Sequence, residues 1–265
     1  MLKETFGSEK PIVGMIHLLP LPGSPLYDSD GGIRKIVDHA AKDIAALERG
    51  GVDAVMFGNE GDRPYLLKAT PVALASYGAV VGELRGTLRK PFGVNYLWDP
   101  VASVALAVAL GANFAREIFT GVYESDMGLW APDAASALRL RSDAGRSDLK
   151  LMFNINAEFA SPVGSRTIAQ RAKSVVFSSL ADIVLVSGPM TGEAVETTNL
   201  TQVKNAIGAI PVFANTGVNI DNVEKILSIA DGAIVGTHFK VGGDTWKAVD
   251  PERVKRFMDR VRKLR

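Results

Sequence analysis

A chain of 265 residues that is 47% hydrophobic and 22% charged can bury a large core, and it carries no apolar run long enough to cross a bilayer. With no cysteine it can form no disulfide, zinc–thiolate site or thiol nucleophile, and without a basic–apolar–small pattern at its start a cytoplasmic address is expected. Thirty basic against 29 acidic residues leave no global field to recruit nucleic acid, and no stable membrane insertion is expected.

In chain order, short β-branched or apolar runs alternate with longer helical patterns, the signature of parallel β/α units. The first run, 12–17 "IVGMIH", ends on His17 and leads into the proline-rich "LLPLPGSP" and a helix near 33–49. Then come 53–58 "DAVMFG" with a helix near 71–89, 92–97 "FGVNYL" with one near 100–110, and 114–119 "FAREIF" with one near 133–144. The second half repeats the alternation with 150–155 "KLMFNI" and 165–178, 182–187 "DIVLVS" and 199–207, 211–215 "PVFAN" and 220–229, and 232–236 "GAIVG" and 251–263. Several helices open on a cap followed by proline, "TP" at 70–71 and "DP" at 99–100 and 250–251, and N-cap duty accounts fully for Asp99. The basic C-terminal stretch 250–265 reads as the solvated face of a last helix, where its dipole favours cations.

Eight such pairs predict one domain over 1–265, a single (β/α)8 TIM barrel. A doubly wound open sheet is the alternative, but no strand is followed by the glycine fingerprint those folds use for dinucleotides. Helix-to-strand connections are terse, such as "GG" at 50–51, whereas strand-to-helix connections such as 18–32, 59–70, 120–132, 188–198 and 237–250 are long. In a barrel the long ones gather at the C-terminal mouth, where active sites of this fold lie.

A parallel strand buried on both faces should read as continuous Val, Ile and Leu, and these strand ends do not. The period of two in "MFNINAE" puts Asn154, Asn156 and Glu158 on one side of the fifth strand, and the fourth offers either Arg116 or Glu117 to the interior. Asn95, Asn59, Glu60 and Asn215 end other strands, so a polar pocket is expected at one mouth. His17, at the end of the first strand, suits proton transfer near neutrality. Its proline-rich neighbour is expected to form a stiff pocket wall, and a nearby carboxylate to raise its pKa. His238 is a second candidate for substrate contact, while His39 reads as surface or interhelix packing. After the last strands, "VSGPMTG", "ANTGV" and "VGTHF" suggest a phosphate site built from Ser187, Gly188, Thr216, Gly217, Gly236 and Thr237. No cofactor is predicted. Glu60, Glu117 and Glu158 would suit a hard divalent ion, but no paired His/Asp spacing argues for one. No lysine ends a strand to invite a Schiff base, Lys240 being the nearest, in a loop.

"PIVGMIHLLPLPGSP", "VDAVMFGNEGDRPY", "GVNYLWD", "ANFAREIFTGVYESDMGLW", "ADIVLVSGPMTGE", "IPVFANTGVN" and "DGAIVGTHFK" together resemble the BtpA/SgcQ family over essentially the whole chain. The resemblance implies a (β/α)8 barrel of the phosphate-binding type. One class of function that follows is an enzyme on a phosphorylated sugar or nucleoside-like metabolite, an isomerase, lyase or hydrolase in which His17 moves protons with Glu60, Glu117 or Glu158. The other, which the family label implies, is a non-catalytic assembly factor for a membrane complex such as photosystem I. The ring of polar strand ends favours the first, and a homo-oligomer is expected.

Overall fold

The computed structural model describes residues 1–265 and closes eight parallel strands into a barrel. In chain order the strands are β1 (Ile12–His17), β2 (Ala54–Gly58), β3 (Phe92–Asn95), β4 (Phe114–Glu117), β5 (Tyr123–Ser125), β6 (Gly128–Trp130), β7 (Lys150–Asn154), β8 (Ala160–Pro162), β9 (Ile183–Val186), β10 (Val212–Ala214) and β11 (Gly232–Val235). The helices are α1 (Leu2–Phe6), α2 (Gly32–Gly50), α3 (Pro71–Leu84), α4 (Pro100–Leu110), α5 (Ala134–Asp143), α6 (Ile168–Ser179), α7 (Thr197–Ile207), α8 (Val223–Leu227) and α9 (Pro251–Arg262). The ring runs β1-β2-β3-β4-β7-β9-β10-β11 and returns to β1. No helix is long and apolar enough to cross a membrane.

Alternation along each strand separates two cores. Outward residues such as Ile12, Val55, Leu151 and Val184 join the helices in one large apolar layer. Inward residues, among them Val13, Met15, Met56, Phe114, Met152, Leu185 and Phe213, fill the lower barrel. Phe6 of α1 closes the bottom, its ring 5.2 Å from that of Phe114 and 6.0 Å from that of Phe213. On α9 the buried residues Val254, Phe257, Met258 and Val261 form one stripe, and the basic residues lie on its other faces.

Four features depart from the sequence reading. α1 is a single turn and shows no periodicity. The helix near 220–229 contracts to Val223–Leu227, and the one near 71–89 stops at Leu84 in a short 3-10 turn. The long connections after β4 and β7 are not plain loops: they supply β5, β6 and β8, which pair antiparallel in the order β6-β5-β8.

Asp99 caps α4 as expected. Its Oδ1 accepts from Ala102 N at 2.9 Å and its Oδ2 from Ala69 N at 2.9 Å, tying the preceding loop to the same carboxylate. Asp99→Ala should therefore lower the unfolding free energy by about 1–2 kcal/mol, measured by denaturant titration, with Asp99→Asn keeping most of it. Equal stability of Asp99→Ala and the parent would contradict the cap.

Candidate active site at the barrel mouth

One step above the apolar layer, the inward positions change character. Met15 is followed two residues later by His17, Phe114 by Arg116, Met152 by Asn154 and Phe213 by Asn215. These four side chains, with Glu60, Glu117, Glu158, Trp98, Thr191, Thr216 and Thr237 among others, line a cavity of ≈ 760 Å³ at the C-terminal ends of the strands.

His17 and Glu60 face each other across β1 and β2, with Nε2 3.8 Å from Oε1. Gly58 makes the approach possible, since a Cβ there would lie 2.5 Å from a Glu60 oxygen. Gly236 does the same for the imidazole, whose Nε2 lies 3.1 Å from where a Cβ would stand. The other ring nitrogen, Nδ1, lies 3.3 Å from the Thr245 carbonyl oxygen. A carbonyl only accepts, so Nδ1 carries the proton and Nε2 presents a lone pair to the cavity.

Two expectations about His17 are corrected here. The "LLPLPGSP" loop does not wall the central cavity. It packs over the turn at 59–62, where Leu21 N donates to Asp62 Oδ1 at 2.7 Å, and so it braces the segment that carries Glu60. Nor is the imidazole's pKa raised by Glu60. Burial and the nearby Lys240 ammonium pull it down to about 3, so His17 is neutral near pH 7. Lys240, read as a loop residue, is fully buried and paired with Asp43 of α2 at 2.7 Å. His39, also on α2, lies 3.8 Å from the same carboxylate.

The carboxyls behave in the opposite sense. Burial raises Glu60 to about 6 against the pull of Arg116, and raises Glu117 to about 7 against Arg116 and three N–H donors. Glu158 is half-buried and also shifted up by burial, opposed by Arg116 and by the Thr191 hydroxyl that donates to it. The choice between Arg116 and Glu117 proves false, because both reach the cavity. Arg116 points inward and its Nη1 donates to Asn215 Oδ1 at 3.3 Å. Glu117, at the end of β4, accepts from Asn95 Nδ2, from Ile118 N at 2.9 Å and from Trp98 N at 3.3 Å. Trp98 is held at φ 71°, a left-handed conformation that costs a non-glycine residue about 1–2 kcal/mol. The three glutamates do not gather into a metal-ligand cluster, as nowhere do three or more His, Asp or Glu side chains come together in a form that could hold an ion.

The asparagines divide into two groups. Asn154 and Asn215 line the cavity and both donate to Ser187 Oγ, at 2.8 and 2.7 Å. Asn156 turns away, because β7 ends at Asn154 and the period of two no longer holds; it clasps the Ser187 backbone through N at 2.9 Å and O at 2.7 Å. Asn59 braces its loop, donating to Asp62 and accepting from Leu97 N, and Asn95 stands behind Glu117. His238 is not brought to the cavity. It packs against Phe257 of α9, 5.5 Å between centroids, and receives Arg253 on its ring and carbonyl.

Of the residues read as a phosphate site, Thr216, Gly217, Gly236 and Thr237 line the cavity, and the backbone N–H groups of Thr216, Gly217 and Gly236 make no hydrogen bond within the protein. Ser187 and Gly188 are engaged elsewhere, Ser187 by the asparagines and Gly188 N by Thr216 Oγ1. Gly217, at φ 61°, would drive a Cβ to 2.2 Å from the 193–194 backbone, so its replacement tests loop packing as well as ligand binding. The sequence reading passed over Arg116 as a central cation, and it missed the aromatic rim of Tyr65, Trp98 and Phe159 and the loop residues Thr191 and Gly192.

Comparison with known proteins places this architecture. The BtpA family model matches residues 8–263. The putative sgc region protein SgcQ of Escherichia coli (strain K12) is 45% identical over 264 residues, 100% of this chain and 98% of that protein. The photosystem I biogenesis protein BtpA of Synechocystis sp. is 31% identical, covering 97% of this chain and 90% of that one. Phosphoribosyl anthranilate isomerase from Thermus thermophilus shares the fold at 14% identity, with a TM-score of 0.58 over 96% of this chain and 100% of its own.

Proposed function

From the premise that this chain belongs to the BtpA family, we propose that it is an enzyme that performs acid–base chemistry on a phosphorylated sugar or nucleoside-like metabolite at the barrel mouth. One observation carries the reading. Glu60, Arg116 and Asn154 all line the same cavity, and each keeps one buried side-chain atom, Oε2, Nε and Oδ1 respectively, without a hydrogen-bond partner. Buried polar atoms in folded proteins are nearly always paired, so a set of one donor and two acceptors around one space calls for a ligand rich in hydroxyls. The unpaired N–H groups of Thr216, Gly217 and Gly236 suit a phosphoryl group at the far end of that ligand, as backbone donors after the last two barrel strands do in this fold.

Glu60 is the proton carrier in this reading. Its carboxyl, at about 6, exchanges protons near neutral pH, whereas His17, at about 3, stays neutral and accepts through Nε2. Arg116 holds negative charge that develops on substrate oxygen. Biogenesis of photosystem I is the role carried by the name of the Synechocystis relative, whereas the name of the more similar Escherichia coli protein mentions no photosystem.

A thermal-shift panel tests the proposal. Sugar phosphates and nucleoside monophosphates should raise the melting temperature where their dephosphorylated counterparts do not, since a ligand at a hundred times its Kd stabilises the folded state by about 2.7 kcal/mol. Stabilisation by neither set, or equally by both, would remove the phosphorylated substrate from the reading.

A further inference from the structure

A second concave surface lies outside the barrel, between the segment after β4 and α6. It is an open groove of ≈ 560 Å³, solvent space included, and shares no lining residue with the central cavity. Its wall holds two cations, Arg166 and Arg171, and no acidic residue. Arg166 Nη1 donates to Ser174 Oγ at 3.2 Å. Arg171 is different: its Nε and Nη1 are buried and donate to nothing. Arg171 meets the Tyr123 hydroxyl but no carboxylate in the groove, and a guanidinium cannot shed its proton, so its charge stands there without a counter-ion, a condition an anion relieves.

We propose that this groove is a second binding site, for a tetrahedral oxyanion of the phosphoryl class. Arg171 and Ser174 stand three residues apart, the spacing that puts side chains on one helix face, so a cation and a hydroxyl are offered from the same side of α6, whereas the Ser178 hydroxyl is spent on the Ser174 carbonyl oxygen at 2.7 Å. Tyr123 faces them from β5, with its hydroxyl donating to Thr120 O at 3.2 Å. The two guanidinium groups and the Ser174 hydroxyl supply the donors for an anion, and guanidinium groups are favoured for phosphate over a point charge. The site is also connected to the mouth. The buried Tyr123 ring lies 5.7 Å from that of Trp130, which meets Trp98 of the central cavity at 4.8 Å. An occupant of the groove therefore sits two rings away from the substrate space.

Inorganic phosphate and tungstate are the probes. Crystals soaked in tungstate should show an anomalous peak within hydrogen-bond distance of Arg171, and Arg171→Gln should remove that peak while leaving any peak at the barrel mouth. By calorimetry, Arg171→Gln should weaken phosphate binding at this site at least tenfold, and Arg166→Gln, a change at an exposed position, at least threefold. Melting curves verify that each variant is folded, and if Arg171→Gln is not, the tungstate map of the parent and the Arg166→Gln titration decide. A groove holding only water, or a tungstate peak with phosphate affinity unchanged in the folded variants, which is an adventitious ion only, would overturn the proposal. Loss of phosphate binding at the mouth alone would count against the proposed substrate site and leave this one standing.

Discussion

Glu60→Gln is expected to lower turnover of the phosphorylated substrate identified by the thermal-shift panel by a hundredfold or more, the size of effect that follows loss of a general acid or base. The substitution keeps shape and removes only the exchangeable proton. Glu60 Oε2 has no partner to lose, and the new amide can donate toward the His17 Nε2 lone pair, so the fold should be kept. The pH dependence identifies the carrier. In the parent, kcat/KM should change with an apparent pKa near 6, the position to which burial raises this carboxyl, and Glu60→Gln should abolish that limb. His17→Ala should also lower turnover, but with the limb retained, because the imidazole is neutral across the working range and orients rather than titrates. A limb near 6 that persists in Glu60→Gln would transfer the proton-carrying role to another group, Glu117 first, whose carboxyl is raised to about 7.

The barrel itself was legible because short apolar runs alternate with longer helical patterns, and eight such pairs at regular spacing admit few closures, even though an apolar helix such as α4, "PVASVALAVAL", shares the strands' composition. The mouth was legible for the same reason in reverse: His17, Asn154 and Asn215 interrupt apolar strands at inward positions set by a period of two. That period fails where the strand stops. Asn156 and Glu158 were placed by extending it past Asn154, yet they lie on a loop, where one braces the Ser187 backbone and the other reaches back to the cavity. Asn59, Ser187, Gly188 and the amide N–H groups of Asn95 have the right chemistry for a ligand but spend it on neighbours, and which amide faces inward is a matter of tertiary contact. The direction of the His17 shift was equally out of reach. It depends on burial and on Lys240, which stands 223 residues later in the chain (240 − 17) and is drawn under the mouth by Asp43. Strands of three residues such as β5, β6 and β8 carry too few positions to show alternation, and so the small sheet over the mouth read as loop.

The opposed shifts of His17 and Glu60 predict that two conservative variants will have crossed pH–stability curves. His17 is lowered from 6.5 to about 3, so the folded chain resists a proton that the unfolded chain accepts. Below pH 6.5 the unfolded state therefore binds more protons, and stability falls as pH drops toward 3. At pH 4 the loss attributable to His17 is about 3 kcal/mol, and at pH 8 it is absent. Glu60 has the reverse sign. Raised from 4.5 to about 6, it binds its proton more tightly when folded, so its contribution is fully present below pH 4.5 and is lost as pH rises through 6. By pH 8 the buried charge costs about 2 kcal/mol. His17→Gln should accordingly be more stable than the parent at pH 4 and match it at pH 8, whereas Glu60→Gln should match it at pH 4 and exceed it at pH 8. Glu117 shifts in the same direction as Glu60 but is common to all three proteins, and it drops out of the differences. Denaturant midpoints taken at pH 4, 6 and 8 with equal m-values report the comparison directly. If the His17→Gln curve runs parallel to the parent's from pH 4 to 8, the imidazole titrates normally, and the neutral His17 on which the division of labour with Glu60 depends must be abandoned.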